Sequence, residues 1–339
     1  MQERQQDSPS DQVLVIGPSR VGDMVLAQPL FMRLKQLRPD CKIDVLAPQD
    51  MLPVVARMPE VRAGMEMPQG KFSRRKLGRS LRDRGYNQSI TLPDSRQTAL
   101  VPWFAGIPRR TAYSSGMHIG LVNDIRAPDR KWPKTSPQCF VALAQERAVK
   151  GAPEIPLPRL EIDTVHGARL LRELALDGTR PAVGLMPGVD GAGRQWPVEF
   201  YAEVAQHLAA EGVQTWIFGT DAEQALADSI RAISGGMTAN LCGRTSLTGM
   251  LDLVARCRAV IANESGLMQL AAASGVPVTA LYGSAAPDVT LPVQHGAIHY
   301  LRLEDGPCFE RTCPPGHYHC LRHVAPQTVR ASLRQLAGI

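Results

Sequence analysis

The chain has 339 residues, 44% of them hydrophobic and 21% charged, with a formal net charge of +6. That length suits two domains of ordinary size, each with its own core. The composition excludes an intrinsically disordered chain, and no run approaches the roughly 18 uninterrupted apolar residues of a membrane span. The charge is unevenly divided. Residues 1–160 hold 25 Lys+Arg against 15 Asp+Glu, net +10, whereas residues 161–339 hold 13 against 17, net −4. Such asymmetry points the first half toward an anionic partner. Residues 1–11 are polar and acidic, unlike a signal peptide, and are expected to be disordered. Seven scattered cysteines fit free thiols in a reducing cytoplasm better than a disulfide framework.

In chain order, Gln12–Ile16 reads as a buried strand. A glycine loop, Gly17–Asp23, follows, and then an apolar helix pattern runs to Leu37. Pro29 lies inside that pattern, so the helix is expected to start near Gln28 or to kink there. Ile43–Ala47 and Gln88–Leu92 read as strands and Ser95–Gly106 as a helix. Between them, Lys71–Arg84 packs seven Lys/Arg into fourteen residues, either a solvated helix face or a surface for an anionic acceptor, lipid headgroup or nucleic acid. Only Phe72 interleaves aromatically with it, which serves base stacking poorly. Residues 151–160 carry three prolines in ten and read as a linker.

A second alternation of strands and helices follows: Ala182–Met186, Val198–Glu211, Val213–Phe218, Ala222–Ile233, Ser246–Cys257, Arg258–Ala262 and Val278–Tyr282. Two such runs predict α/β architecture twice over. A Cys/His-rich tail, Gly306–His323, precedes a last helix, Pro326–Leu336. Its Cys308, Cys313, His317, His319 and Cys320 could ligate a metal, but their spacing matches no Cys-x2-Cys pair, and a loop-rich tail is the plainer reading.

Three loops at strand ends carry candidate chemistry. Gly17-Pro18-Ser19-Arg20-Val21-Gly22-Asp23 has the Gly-x4-Gly spacing of a P-loop, but Asp23 and Met24 stand where Lys and Ser/Thr are needed. A carboxylate there would repel a nucleoside triphosphate. It suits proton abstraction from a substrate hydroxyl, or simple capping of the helix. Gly188-Val189-Asp190-Gly191-Ala192-Gly193-Arg194 joins a permissive backbone to a guanidinium, as a diphosphate site requires, or is an ordinary flexible loop. Gly219-Thr220-Asp221 ends the next strand, where a carboxylate could take two ribose hydroxyls. Finally, Asn263-Glu264-Ser265-Gly266-Leu267-Met268-Gln269 runs from a strand into a helix of small residues. There Gly266 admits a ligand to the backbone and the helix N–H groups suit an anion.

Together these segments resemble the ADP-heptose:lipopolysaccharide heptosyltransferases, glycosyltransferase family 9. The likeness covers nearly the whole chain: Val15–Val25, Ala27–Leu30, Leu46–Pro48, Ala99–Arg110, Gly120–Asp124, Gly243–Leu247, Ser265–Ala273, Leu281–Ser284 and the tail from Pro307. The resemblance implies a GT-B fold, with two Rossmann-like domains whose parallel sheets face a central cleft. It places an acceptor domain at 12–155 and a nucleotide-sugar domain at 156–325, with a helix at 326–339 packing back on the first. It further implies inverting heptose transfer from ADP-L-glycero-D-manno-heptose to the lipid A–Kdo–heptose inner core. It implies, too, that no cofactor, metal or nucleic acid takes part and that the enzyme is cytoplasmic, in peripheral contact with the inner membrane of a Gram-negative cell.

On this likeness Asp23 is the general base. Gly188, Arg194, Asp221, Thr245, Glu264, Ser265, Gly266, Leu267 and Gln269 bind the donor. Ser19, Arg20, Gly22, Arg74, Arg75, Arg109 and Arg110 meet the acceptor. Three positions depart from the family's pattern: Glu264 stands for its Asp, Gln269 for its His, and Arg194-Gln195 for its Lys-Arg. They leave room for a different donor sugar, or for a catalytically silent binding paralogue.

Overall fold

The chain divides into two units, Met1–Pro158 and Arg159–Ile339. The computed structural model describes residues 11–93, 95–114, 120–127, 136–146, 154–189, 195–283, 298–301 and 319–339. The division falls inside the proline-rich stretch expected to link the domains, three residues beyond the expected 155/156 boundary.

The first unit runs β1 (Gln12–Ile16), α1 (Val21–Leu37), β2 (Lys42–Ala47), α2 (Leu52–Val55), β3 (Val61–Glu66), α3 (Lys71–Ser80), β4 (Gln88–Thr91), α4 (Leu100–Phe104), β5 (Arg109–Tyr113), β6 (Asp124–Arg126) and α5 (Pro137–Ala142). Its strands are all parallel, in the order β3-β2-β1-β4-β5-β6. Parallel strands need helical crossovers, and the alternating pattern supplies them. Leu14 and Ile16 of β1 face a cluster with Leu81, Tyr86, Val101 and Ile107, so the strand's alternation sorts its side chains between two covered faces. Helix α1 begins at Val21, not near Gln28, and continues through Pro29. The lost hydrogen bond at the proline is offset by burial of Met24, Val25, Leu30, Phe31 and Leu34 along the same helix. Of the helix expected at 95–106, only 100–104 is helical. Residue 95 instead starts a turn in which Thr98 donates its hydroxyl and its N–H to the Ser95 carbonyl.

The second unit repeats the plan: α6 (Thr164–Glu173), β7 (Ala182–Met186), α7 (Val198–Ala210), β8 (Gln214–Ile217), α8 (Gln224–Ile233), β9 (Thr238–Asn240), α9 (Leu247–Val254), β10 (Ala259–Asn263), α10 (Gly266–Ala273), β11 (Val278–Leu281), β12 (Ile298–Leu301) and a C-terminal helix (Pro326–Ala337). Its strand order is β12-β11-β10-β7-β8-β9, again parallel throughout. Val260 and Ala262 of β10 join the core beneath α9 and α10, and Ala259 and Ile261 join the one beneath α7. The C-terminal helix belongs to this second unit. Val329 and Leu333 are buried in the core that includes Tyr201, Val204 and Leu208 of α7. Its Ser332 hydroxyl bonds the Thr279 hydroxyl at 2.7 Å and His299 Nδ1 at 3.0 Å, which fixes the helix to β11 and β12.

Two buried carboxylates brace the first sheet. Asp44 of β2 accepts from Arg62 Nε and Nη2 at 2.9 and 2.5 Å and from the Tyr86 hydroxyl at 2.5 Å. Asp124 of β6 accepts from Arg126, Thr111 and Arg109 at 2.9–3.1 Å. Burial pushes the Asp124 carboxyl up, but the bonds from Arg126, Thr111 and Arg109 outweigh it and hold the group down at about 2. A carboxylate held below its unfolded value of 3.8 contributes stability that is complete above that value and is lost as pH falls from it toward about 2. The first unit should therefore lose about 2 kcal/mol from Asp124 across that window. Denaturant unfolding at pH 5 and pH 2 measures the loss, and Asp124→Asn should flatten the pH dependence there while lowering stability at pH 7.

Candidate active site

In each unit the chain lays down one strand, adds two neighbours on one side, then returns to add three on the other. The reversal leaves β1 beside β4 and β7 beside β10. At such a point the two following loops part in opposite directions, which opens a crevice outside the carboxyl ends of the strands. The sequence-predicted loops can be placed against these two crevices.

At the β7/β10 crevice, Gly188 follows β7 and Glu264–Leu267 follow β10. Ser265 caps α10, its hydroxyl accepting from the Met268 N–H at 3.2 Å. The first-turn N–H groups of Gly266 and Leu267 have no partner within the helix and bring its positive end to the crevice. Glu264 is half-buried, its N–H bonded to the Leu281 carbonyl at 3.1 Å, and Gln269 is buried one turn into α10.

The end of β8 adds an acidic turn. Glu223 Oε2 accepts from both the N–H and the hydroxyl of Thr220, at 2.7 and 2.6 Å. Its side chain lies across two glycines: a Cβ would sit 2.8 Å from Glu223 at Gly188 and again at Gly219. The exposed Asp221 leans over Gly243, where a Cβ would collide with its Oδ1. Gly243 also has φ of +68°, so a side chain is disfavoured there by both space and backbone. The Gly243 N–H bonds the Gly219 carbonyl at 3.1 Å, which ties the loop after β9 to the loop after β8. Thr245 stands two residues on, its hydroxyl oxygen buried without a hydrogen-bond partner among the described residues. Gly188, Asp221, Thr245 and Glu264–Gln269 thus all stand on the loops or first helical turns that leave the carboxyl edge of one sheet. Arg194 lies outside the described residues, as do Asp190 to Gly193 and the tail's Cys308, Cys313 and His317.

Sequence reasoning passed over the residue that joins the two halves of this crevice. Asn263, the last residue of β10, has 0% exposure. Its Nδ2 donates to the Pro187 carbonyl at 2.8 Å and its Oδ1 accepts from the Trp196 N–H at 3.2 Å. Pro187 and Trp196 are the two stems of the glycine-rich loop, so one amide holds both against the β10–α10 turn. Asn263 stands in the motif as the end of an apolar strand. A buried amide there, immediately before the loop, was the available signal.

At the β1/β4 crevice, Gly17 packs tightly, with the place of a Cβ only 2.7 Å from Met24 Cε. Ser19 and Arg20 are exposed, Gly22 is buried, and Asp23 is half-buried in the first turn of α1. Asp23 does not cap the helix: the N-cap is Arg20, which makes no side-chain cap. No hydrogen bond reaches the Asp23 carboxylate among the described residues. Burial raises its pKa from 3.8, and the Arg20 charge opposes the rise.

The basic acceptor candidates separate. Arg74 is near the same edge but buried, donating to the Pro68 carbonyl at 3.0 Å and to Gln97 Oε1 at 2.8 Å. Arg75 is exposed on α3 and lies over the Phe104 ring at 5.4 Å. Arg109 and Arg110 are at the amino end of β5, level with Val13 and Leu14 and away from the carboxyl end of β1. Arg109 pairs with Asp124 and Glu146, and Arg110 donates to the Leu121 and Ile107 carbonyls at 2.7 and 2.6 Å. Arg109 and Arg110 are therefore not gathered around Asp23.

The two doubly wound parallel units, with a carboxylate that has no hydrogen bond among the described residues at one crevice and a helix N-terminus with glycine loops at the other, have the architecture that GT-B glycosyltransferases share. The chain belongs to glycosyltransferase family 9 (heptosyltransferase), whose sequence profile matches residues 74–319. It is 36% identical to lipopolysaccharide heptosyltransferase 2 of Escherichia coli K12, over 96% of this chain and 98% of that one. It is 37% identical to lipopolysaccharide heptosyltransferase 2 of Salmonella typhimurium LT2 over the same shares. The solved structure of E. coli ADP-heptose LPS heptosyltransferase II matches with a TM-score of 0.87 and 36% identity, over 96% of this chain and 98% of that chain.

Asn263→Ala should leave the buried Pro187 carbonyl and Trp196 N–H without partners, at about 1–3 kcal/mol for each orphaned group. Chemical denaturation of the variant should show that loss. Asn263→Asp keeps an acceptor for Trp196 but sets a buried carboxylate against the Pro187 carbonyl, so at pH 7 it should recover none of it.

Proposed function

We propose that this chain transfers L-glycero-D-manno-heptose from its ADP derivative to the heptosylated Kdo–lipid A inner core of lipopolysaccharide, with inversion and without a metal. The observation that carries the reading is Asp23: a half-buried carboxylate of raised pKa at the β1/β4 crevice, free of hydrogen bonds among the described residues. In the reaction its carboxylate takes the proton of the acceptor hydroxyl while that oxygen attacks the anomeric carbon. The bond from that carbon to the diphosphate breaks, ADP leaves with the electron pair, and the configuration inverts. Arg194 and the N–H groups of Gly266 and Leu267 meet the diphosphate charge, as charge-assisted and helix-terminus contacts favour. Asp221 takes the ribose hydroxyls, Thr245 lines the adenine side, and Glu264 and Gln269 contact the heptose. Ser19, Arg20 and Gly22 frame the acceptor hydroxyl. Because the acceptor is lipid-borne, the enzyme works peripherally at the inner face of the inner membrane. No helix among the described residues is long and apolar enough to cross a membrane. Transfer of heptose from ADP-heptose to the heptosylated acceptor, followed by mass spectrometry, tests the reading directly, and no transfer by the wild-type protein would sink it.

Glu264 and Gln269 favour a second reading, a donor sugar other than this heptose. Glu264 carries one methylene more than aspartate, and Gln269 cannot become an imidazolium. A thermal-shift screen across ADP-, UDP- and GDP-sugars separates the two readings.

A general base contributes about 10²–10⁴-fold to rate. Asp23→Asn should lower turnover by about that factor with ADP affinity unchanged. Since the carboxylate is the active form and its pKa is raised, kcat/KM should fall on the acid side below that raised value. Arg20→Ala removes the opposing charge, so the acid limb should move to higher pH, and the shift should shrink with salt because Arg20 is exposed. Arg194→Ala should weaken ADP binding by about 1.5–3 kcal/mol, the scale of a hydrogen bond to a charged group, as read by calorimetry.

A further inference from the structure

We infer that the outer face of the α3–α4 pair docks on an anionic lipid bilayer. Helix α3 turns Arg74, Gly78 and Leu81, a spacing of i, i+4 and i+7, inward. The inward contact is close: a Cβ on Gly78 would lie 2.6 Å from Phe104 Cβ and 2.7 Å from the Val101 carbonyl, so only glycine lets α3 and α4 approach this far. Arg82 Nε completes the joint, donating to the Phe104 carbonyl at 3.0 Å.

The opposite face of α3 carries Phe72, Arg75, Lys76 and Arg79, again one helical face by spacing, and all four are exposed. Phe72 is 86% exposed, and Trp103 of α4 is 44% exposed. Among the described residues these are the exposed large aromatics, and both lie on this one pair of helices. No carboxylate occurs from Lys71 to Arg82. An unburied phenylalanine and tryptophan set among cations match the chemistry of an anionic bilayer surface, where the rings enter the interface and the cations meet the lipid phosphates. Nucleic acid suits the same charge less well, because Phe72 is the one aromatic within the basic run.

The inference rests on the reading of a lipid-borne acceptor, and a vesicle assay tests it independently of turnover. The full chain is sedimented with vesicles of phosphatidylglycerol in phosphatidylcholine, and with phosphatidylcholine alone. Two double variants are compared, Phe72→Ala with Trp103→Ala and Lys76→Ala with Arg79→Ala. All four positions are exposed, and unchanged melting temperatures confirm that the variants fold. Wild type should bind the anionic vesicles and not the neutral ones. The charge variant should bind about 5-fold more weakly per cation removed, the scale of one basic residue near an anionic surface. The aromatic variant should bind about tenfold more weakly, with its loss insensitive to salt, as burial of apolar rings requires. Both variants should keep wild-type kcat/KM on a deacylated, water-soluble acceptor. Equal vesicle binding by wild type and both variants overturns the inference, as does wild-type binding to a single-stranded oligonucleotide as tight as to the vesicles. Loss of kcat/KM on the soluble acceptor with vesicle binding intact would also overturn it, by assigning the face to the acceptor sugars. If wild type binds anionic vesicles but transfers no heptose, the functional reading fails and the docking surface stands.

Discussion

The reversal of strand order at β7 and β10 is the constraint on which the rest of the second unit depends. Two parallel strands that are neighbours in the sheet but about seventy residues apart in the chain must end together, and the loops that follow must part. The turn leaves buried backbone groups at Pro187 and Trp196 that no ladder can satisfy, since the strands stop there. One side chain with both a donor and an acceptor can close that gap, and Asn263 supplies it at 2.8 and 3.2 Å. An aspartate would lack the donor and an aliphatic residue both groups. With the stems held, Gly188 and Gly219 admit the Glu223 side chain, and Gly243 admits Asp221. The glycines of this edge therefore serve packing between loops before they serve any ligand.

The charge asymmetry between the halves looks different once partners are assigned. Several arginines of the first unit are engaged by partners within it. Arg62 and Arg126 brace buried carboxylates, Arg109 spans Asp124 and Glu146, and Arg74 and Arg110 hold loop carbonyls. A guanidinium suits this work because its fork of donors stays charged and matches carboxylates and carbonyls alike. Among the described residues α3 carries four exposed cations, Lys71, Arg75, Lys76 and Arg79, on one short helix. Net charge alone could not separate the two populations, because a braced arginine and a solvated one count equally in a sequence.

Strand–helix alternation made the α/β class legible, and the second run could be read nearly element by element. Ala182–Met186 is buried at every residue, as a strand covered on both faces must be. Of the strands the apolar pattern does not mark, β3, β6, β9 and β12 lie at sheet edges, and β5 alone is interior. β3, with alternating half-buried and exposed residues, and β6, only three residues long, carry little apolar signal. The strand-end loops were legible as candidate sites because glycine, acid and hydroxyl recur where strands end. Arg109 and Arg110 misled for the converse reason: β5 was not seen, so nothing showed that they begin a strand and lie at the end of the sheet opposite the loops. Pro29 does not mark the helix start, because burial along Val21–Leu37 carries the helix through it.

The two departures in the β10–α10 motif act on different physical quantities. Glu264 carries the carboxylate of an aspartate one methylene further out, so in the proposed reaction it would change where a sugar hydroxyl is held without changing what holds it. Gln269 keeps the hydrogen-bonding capacity of an imidazole and removes its titration, since an amide stays neutral across the working pH range. It is buried in α10, where a charged group would be costly without a partner. Position 269 therefore contributes geometry and no pH dependence of its own, which leaves the raised carboxyl of Asp23 as the titration on which the proposed chemistry turns. In the proposed reaction, Glu264 and Gln269 would set donor choice by hydroxyl position at one crevice, and Asp23, tuned by Arg20, would set proton removal at the other.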